Sequence, residues 1–150
     1  MSVIDQINQN ILRELVRDGR ISNSDLAQSV GLSPSACLRR VQELERKGII
    51  KGYRAVLDQA SLGAGLTVYV TVGLSRHLKK DQEAFETAMS IAPQVRECYN
   101  VSGIIEYLLR IEVADLEAYK FFHTEVLGTV PQVSSIVSYF VMATSKNERG

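Results

Sequence analysis

The apolar residues of this chain change their period once, and that change fixes what it can fold into. Through its first 44 positions they recur at helical spacing, whereas from Leu66 to Leu74 they occupy every second position. A helical block followed by alternating strands needs two cores of different construction, which places the chain in the α+β class. Its 150 residues, 45% of them hydrophobic, suffice for two small packed domains.

In the helical block Ile4, Ile7, Ile11 and Leu15 share a face behind Asp5, an available cap, and the pattern stops before Asp18-Gly19. Ser22-Asn23-Ser24-Asp25 reads as a capping box ahead of Leu26, Ala27 and Val30, and Gly31 supplies a sharp turn after a short helix. Ser33-Pro34, a serine cap with proline at the first helical position, starts a third helix that runs to Gly48. At about 100° per residue this helix turns Cys37, Leu38, Val41 and Leu44 to one side and Ser35, Arg39, Glu43 and Arg46 to the other. A short helix, a glycine turn and a longer helix with a basic outer face form the helix-turn-helix layout, whose second helix enters the major groove. The stretch 49–57, with Lys51 and Arg54, is expected to extend as a wing against the phosphate backbone.

The chain's net charge is zero, but residues 1–54 carry nine Lys/Arg against six Asp/Glu, and within 33–54 the balance is six against two. A local basic element on a neutral protein suits contact with DNA without indiscriminate stickiness. A three-helix bundle with a charged surface also occurs in proteins that never touch DNA. The cap, glycine turn, Ser-Pro start, basic face and wing each answer a different physical need, and their conjunction favours DNA binding. The expected DNA-contacting residues are Ser33, Ser35, Ala36, Arg39, Arg40, Arg46 and Lys51, with Arg39 preferred over Arg40 because it points outward. Cys37 falls among apolar residues and reads as packing.

Residues 58–65 hold two glycines, a serine and little periodicity, and read as a hinge between a DNA-binding domain over 1–57 and a second domain over 66–150. In the second domain a strand over 66–74 precedes a helix carrying Phe85, Ala88, Met89 and Ala92, with Asp81 as its cap and Pro93 as its stop. Strands follow over 94–101 and 106–113. A second helix from Asp115 is expected to bury Leu116, Tyr119, Phe122 and Val126, and a last strand covers 133–143. The order β-α-β-β-α-β is that of the ferredoxin-like fold, an antiparallel sheet with both helices on one side. Tyr69, Tyr139, Phe140, Val141 and Met142 offer more apolar surface than one helix layer covers, which implies at least a dimer.

Nothing here reads as an enzyme. His77 and His123 stand apart without metal-ligand or Ser-His-Asp spacing, and no phosphate-cradling glycine loop occurs, so neither metal nor cofactor is expected. Cys37 and Cys98 are too far apart for a C-x-x-C motif. No signal peptide or membrane-length apolar run is found, and a cytoplasmic, nucleoid-associated location is expected.

The stretches 5–12, 18–23, 30–41 and 44–53 resemble the DNA-binding module of the Lrp/AsnC, or feast/famine, regulator family. Val101-Ser102-Gly103, Glu106-Tyr107-Leu108-Leu109 and Tyr139-Phe140-Val141-Met142 resemble its effector-binding domain. The resemblance implies ferredoxin-like domains paired into homodimers, an octameric ring of four dimers, and a small effector, usually an amino acid, between subunits. It places Asn100, Ser102, Gly103, Glu106 and Tyr107, with Tyr139, Phe140 and Val141 of the same or a neighbouring subunit, around that effector. The family's turn commonly reads Gly-Asp-x-Asp, whereas this chain has Gly103-Ile104-Ile105-Glu106. Isoleucine cannot accept a hydrogen bond from a ligand ammonium; Glu106 retains the second acid. An architectural DNA-binding protein without an effector therefore stands as the alternative to a ligand-responsive regulator.

Overall fold

In a computed structural model that describes residues 4–147, five side chains, Ile11, Leu26, Ala27, Cys37 and Leu44, close the first of two cores. The chain divides between Val56 and Leu57 into two units, each with a core of its own.

The first unit holds α1 (Gln6–Arg17), α2 (Asn23–Val30) and α3 (Pro34–Arg46). Each starts on the side chain that its sequence offers. Asp5 accepts from the Asn8 N–H at 2.7 Å, Ser22 from the Asp25 N–H at 3.1 Å, and Ser33 from the Ala36 N–H at 3.3 Å. The Ser22 hydroxyl in turn donates to the Asp25 carboxylate at 2.6 Å, so the two side chains of the Ser-x-x-Asp pair meet at the start of α2. Gly31, at φ 71°, makes the left-handed turn between α2 and α3 that a side chain would oppose. Leu38 departs from expectation: it is 46% exposed. It lies about 100° round the helix from Cys37, beyond the arc that α1 and α2 cover.

After α3 the Ile49 and Ile50 N–H groups donate to the Leu44 carbonyl, and the Tyr53 hydroxyl donates to Glu45 Oε1 at 2.9 Å. Residues 51–58 run without ladder partners among the described residues, because this unit holds no strand for them to pair with.

The second unit is β1 (Leu66–Leu74), α4 (Lys79–Ile91), β2 (Val95–Asn100), β3 (Tyr107–Val113), α5 (Leu116–Phe121) and β4 (Val133–Phe140). The strands form one antiparallel sheet in the order β2-β3-β1-β4. Val68, Val70 and Val72 lie opposite Ile111, Leu109 and Tyr107, and all six are fully buried. Phe85 and Met89 of α4 and Tyr119 of α5 pack on that same face. This is the ferredoxin-like arrangement, with each strand dividing its side chains between a covered and an open face.

Four details correct the sequence reading. Asp81 does not cap α4: the helix begins two residues before it behind Leu78, and Asp81 is buried in the first turn, where Arg76 donates to it at 3.1 Å. Leu116 is 64% exposed, because Asp115 is the cap and the next position faces outward. A π turn over Phe122–Val126 adds a residue to the helical period, so that Leu127, which the sequence reading left out, is fully buried in the core, while Val126 packs against it half-buried. Phe140 lies on the helix side of the sheet, opposite Val68 and edge-on to Tyr119 at 5.1 Å between ring centres. The open face is left with Tyr69 paired to Tyr139, and with Tyr99 and Val137, all exposed.

Candidate functional site

The N-terminal end of α3 and its outer face form the first candidate site. Ser33 and Ser35 are exposed, with hydroxyls 3.4 Å apart, and Ala36 is half-buried. Arg39 is exposed and has no hydrogen bond or ion pair among the described residues. Its neighbour behaves differently. Arg40 Nη1 donates to Asp5 Oδ2 at 2.6 Å and to Asn8 Oδ1 at 3.2 Å, tying α3 to the start of α1. That hydrogen bond, with the one from the Asn8 N–H, holds the Asp5 carboxyl below its usual range. A cleft of about 340 Å³ lies beside these groups, lined by Asn8, Arg39, Arg40 and Glu43.

Farther along, Arg46 makes a two-pronged contact with Glu43, Nε to Oε2 at 2.9 Å and Nη2 to Oε1 at 2.6 Å. Lys47 adds a third donor at 3.2 Å. Arg46 is the larger cause of a Glu43 carboxyl held down to about 2. Lys51 is exposed beyond the helix. The sequence reading passed over Gln42, which is exposed on the same wheel arc as Arg39 and can offer adenine two hydrogen bonds. The 100° wheel that selected Arg39 would have found it.

The second candidate site surrounds the loop before β3. Gly103 stands at φ 134°, a region that favours glycine, and Ile104 is wholly exposed at the tip. Asn100 and Ser102 are exposed. Glu106 faces inward: its Oε2 accepts from the Leu74 N–H at 2.6 Å, and His77 Nδ1 stands 3.0 Å from its Oε1. Oε2 is thus engaged within the chain, and Oε1 lies beside an exposed imidazole. Nothing in the sequence announces this contact, which spans 32 positions and depends on the irregular register at Gly73/Leu74.

Tyr107 is fully buried, stacks at 4.5 Å on Phe85, and donates its hydroxyl to Glu86 at 2.6 Å. Burial first, and Glu86 second, push that hydroxyl above the usual tyrosine range. Tyr139 projects on the open face, while Phe140 lies on the covered one and Val141, half-buried, donates its N–H to the Thr67 carbonyl at 3.0 Å. Tyr107 pairs with Val72 and Phe140 with Val68, a separation of roughly 13 Å along β1 at strand rise. One chain therefore brings Asn100, Ser102, Gly103, Glu106 and Tyr107 to one end of the sheet but does not bring Tyr139 to Val141 beside them.

Comparison with known proteins sets both sites in context. Residues 4–51 match the description "Winged helix-turn-helix DNA-binding", and residues 67–150 match "Lrp/AsnC ligand binding domain". The chain belongs to the Lrp/AsnC family. Over 143 residues it is 44% identical to the leucine-responsive regulatory protein of Escherichia coli, which covers 95% of this chain and 87% of that protein. A transcriptional regulator from Neisseria meningitidis, solved in complex with L-Met, matches with a TM-score of 0.92 at 33% identity over 97% of this chain and 94% of that one. An AsnC family transcriptional regulator from Agrobacterium tumefaciens matches at 0.89 with 34% identity, over 95% and 93% of the two chains. Like other Lrp/AsnC proteins, this chain is a DNA-binding transcription regulator with a ligand-binding domain, and not an enzyme. No helix among the described residues of this Lrp/AsnC regulator is long and apolar enough to cross a membrane.

Proposed function

We propose that this regulator reads operator DNA with the outer face of α3 and adjusts that binding when an amino acid occupies its C-terminal domain between subunits. The observation that carries the DNA reading is Arg39: a guanidinium exposed mid-face, without a partner among the described residues, on a helix whose open end presents Ser33, Ser35 and Ala36. A free guanidinium there suits bidentate contact with guanine, and the exposed Lys51 suits a phosphate, whereas Arg46 is held by Glu43. Arg40 serves instead to position α1 against α3.

In this reading residues 1–57 bind DNA, 58–65 act as the hinge, and 66–150 sense the effector and assemble. The relative solved with L-Met supports an amino-acid effector. The exposed Tyr69, Tyr99, Val137 and Tyr139 support sheet-to-sheet homodimers, with an octamer of four dimers as the full assembly. Its place of work is the cytoplasm, on the nucleoid.

One observation favours the alternative, an architectural DNA-binding protein without an effector. Glu106 turns inward, its Oε2 accepting from the Leu74 N–H and its Oε1 3.0 Å from His77 Nδ1, and Ile104 offers a ligand ammonium no side-chain acceptor.

The test is binding of the full-length protein to its own upstream DNA at two salt concentrations, with and without a panel that includes methionine and leucine. Salt-sensitive, selective binding that the panel alters supports the sensing regulator. Selective binding that no amino acid alters, together with no thermal shift at millimolar ligand, supports the architectural reading. Absence of binding at low salt overturns both.

A further inference from the structure

We propose that Glu43 is a specificity-determining residue: by holding Arg46 and Lys47 it withholds two cations from the phosphates of any duplex, so that tight binding has to come from base contacts. The inference rests on the reading that α3 enters the groove.

Of the four cations on α3 and its C-cap, three are engaged within the chain. Arg40 is held by Asp5 and Asn8, and both Arg46 and Lys47 converge on the one carboxylate of Glu43. Only Arg39 has no partner among the described residues. Glu43 is therefore more than an incidental surface anion. It meets both prongs of Arg46 and the ammonium of Lys47 within 3.2 Å, and it is ionised throughout the range in which proteins work. Exposed ion pairs are individually weak, so the hold biases these side chains without locking them. A bias is enough. Each phosphate contact contributes about 0.9 to the salt slope of DNA binding, so one cation withheld both weakens binding to any duplex and takes away roughly 3.5-fold of the affinity change between 50 and 200 mM salt. A regulator gains from that loss, because a genome offers about 10⁶–10⁹ competing non-specific sites.

The experiment measures binding of the full-length protein to a scrambled duplex and to a duplex from its own upstream region, over a salt series. It compares the parent with E43Q and with the triple variant E43Q/R46Q/K47Q, each checked by thermal melting. The expected result is that E43Q binds the scrambled duplex roughly 3- to 10-fold more tightly at low salt, with a slope steeper by about 1 to 2. Affinity for the upstream duplex rises less, so the ratio of specific to non-specific binding falls. The triple variant returns scrambled binding to the parental value or below. Unchanged scrambled affinity and slope in E43Q overturns the proposal, as does a gain that survives in the triple variant. If E43Q loses affinity for the upstream duplex alone at unchanged slope, Glu43 reads a base, as a carboxylate accepting from cytosine does, and the proposal is wrong. A parent that binds neither duplex fails the α3 reading itself, an outcome distinct from a parent that binds and a variant that changes nothing.

Discussion

Arg40 Nη1 lies 2.6 Å from Asp5 Oδ2, so that the residue capping α1 is also the anchor of the middle of α3. One carboxylate performs both tasks: Oδ1 receives the Asn8 N–H and Oδ2 receives the guanidinium. R40A is expected to lower the melting temperature of the DNA-binding unit by a few degrees, and R40K to recover part of it, since a single nitrogen, Nη1, meets both Asp5 and Asn8 and a lysine ammonium can stand in for it only from a different stem. The Asp5 carboxyl is held below its ordinary 3.8. Its contribution to stability is therefore complete above that value and is lost as pH falls through the depressed one. Melts of parent and R40A from neutral to acid pH check this: their difference should shrink below about pH 4, and a difference that is constant across the series contradicts the assignment.

Arg39 and Arg40 are adjacent in sequence, yet their substitutions should fail in different assays. R39A is expected to leave the stability of the DNA-binding unit within about 0.5 kcal/mol of the parent's. It should weaken binding to the upstream duplex by about 1–3 kcal/mol, roughly 5- to 150-fold. Fluorescence anisotropy with a labelled duplex reads the affinity. An R39A protein that binds as the parent does would remove the guanidinium from the interface.

Glu106 closes the irregular end of β1. Its Oε2 is the acceptor for the Leu74 N–H, a backbone donor left without that partner in E106A. A stranded donor costs about 1–3 kcal/mol, so E106A should destabilise the C-terminal unit by that amount in urea titrations at neutral pH. E106Q should cost less, because the carboxamide oxygen still accepts from Leu74. Equal costs for the two variants would show that the charge near His77, and not the backbone bond, carries the effect.

The chain's readable features share a physical cause. All three helix starts in the first unit were legible because a cap is local: Asp5, Ser22 and Ser33 each bind an N–H three residues on. The burial of Val68, Val70 and Val72 was legible because strand alternation has a fixed period. What escaped depended on breaks in period or on distant partners. The π turn at Phe122–Val126 brings Leu127 into the core beside a half-buried Val126, and the side of the sheet that Phe140 occupies follows from its register with Val68, which no single strand reveals. That Arg39 and not Arg40 faces outward on α3 was legible on the helix wheel, but what holds the other two arginines was not: Arg40's partner lies 35 positions away, and Arg46 turns back to Glu43 three positions before it. The loop before β3 was legible least, since the N–H that Glu106 accepts from lies 32 residues back along the chain.

The same corner supplies a test of packing. Gly73 sits where β1 changes register against β4, and a methyl group there would collide with the Ser135 hydroxyl while clearing Glu106 and Ser134 at 3.6 Å. Alanine is at least as acceptable as glycine to an extended backbone, so without that collision G73A should be neutral or mildly stabilising. With it, G73A is expected to destabilise the C-terminal unit by about 1–3 kcal/mol, the usual cost of overpacking. Removing the hydroxyl should remove the penalty, so the G73A/S135A double variant should be more stable than G73A alone. A double-mutant cycle in urea reads this as a coupling of at least about 0.5 kcal/mol between the two sites. Additive effects would mean that Ser135 rotates aside unaided, and that the glycine is retained at this position for some reason other than space.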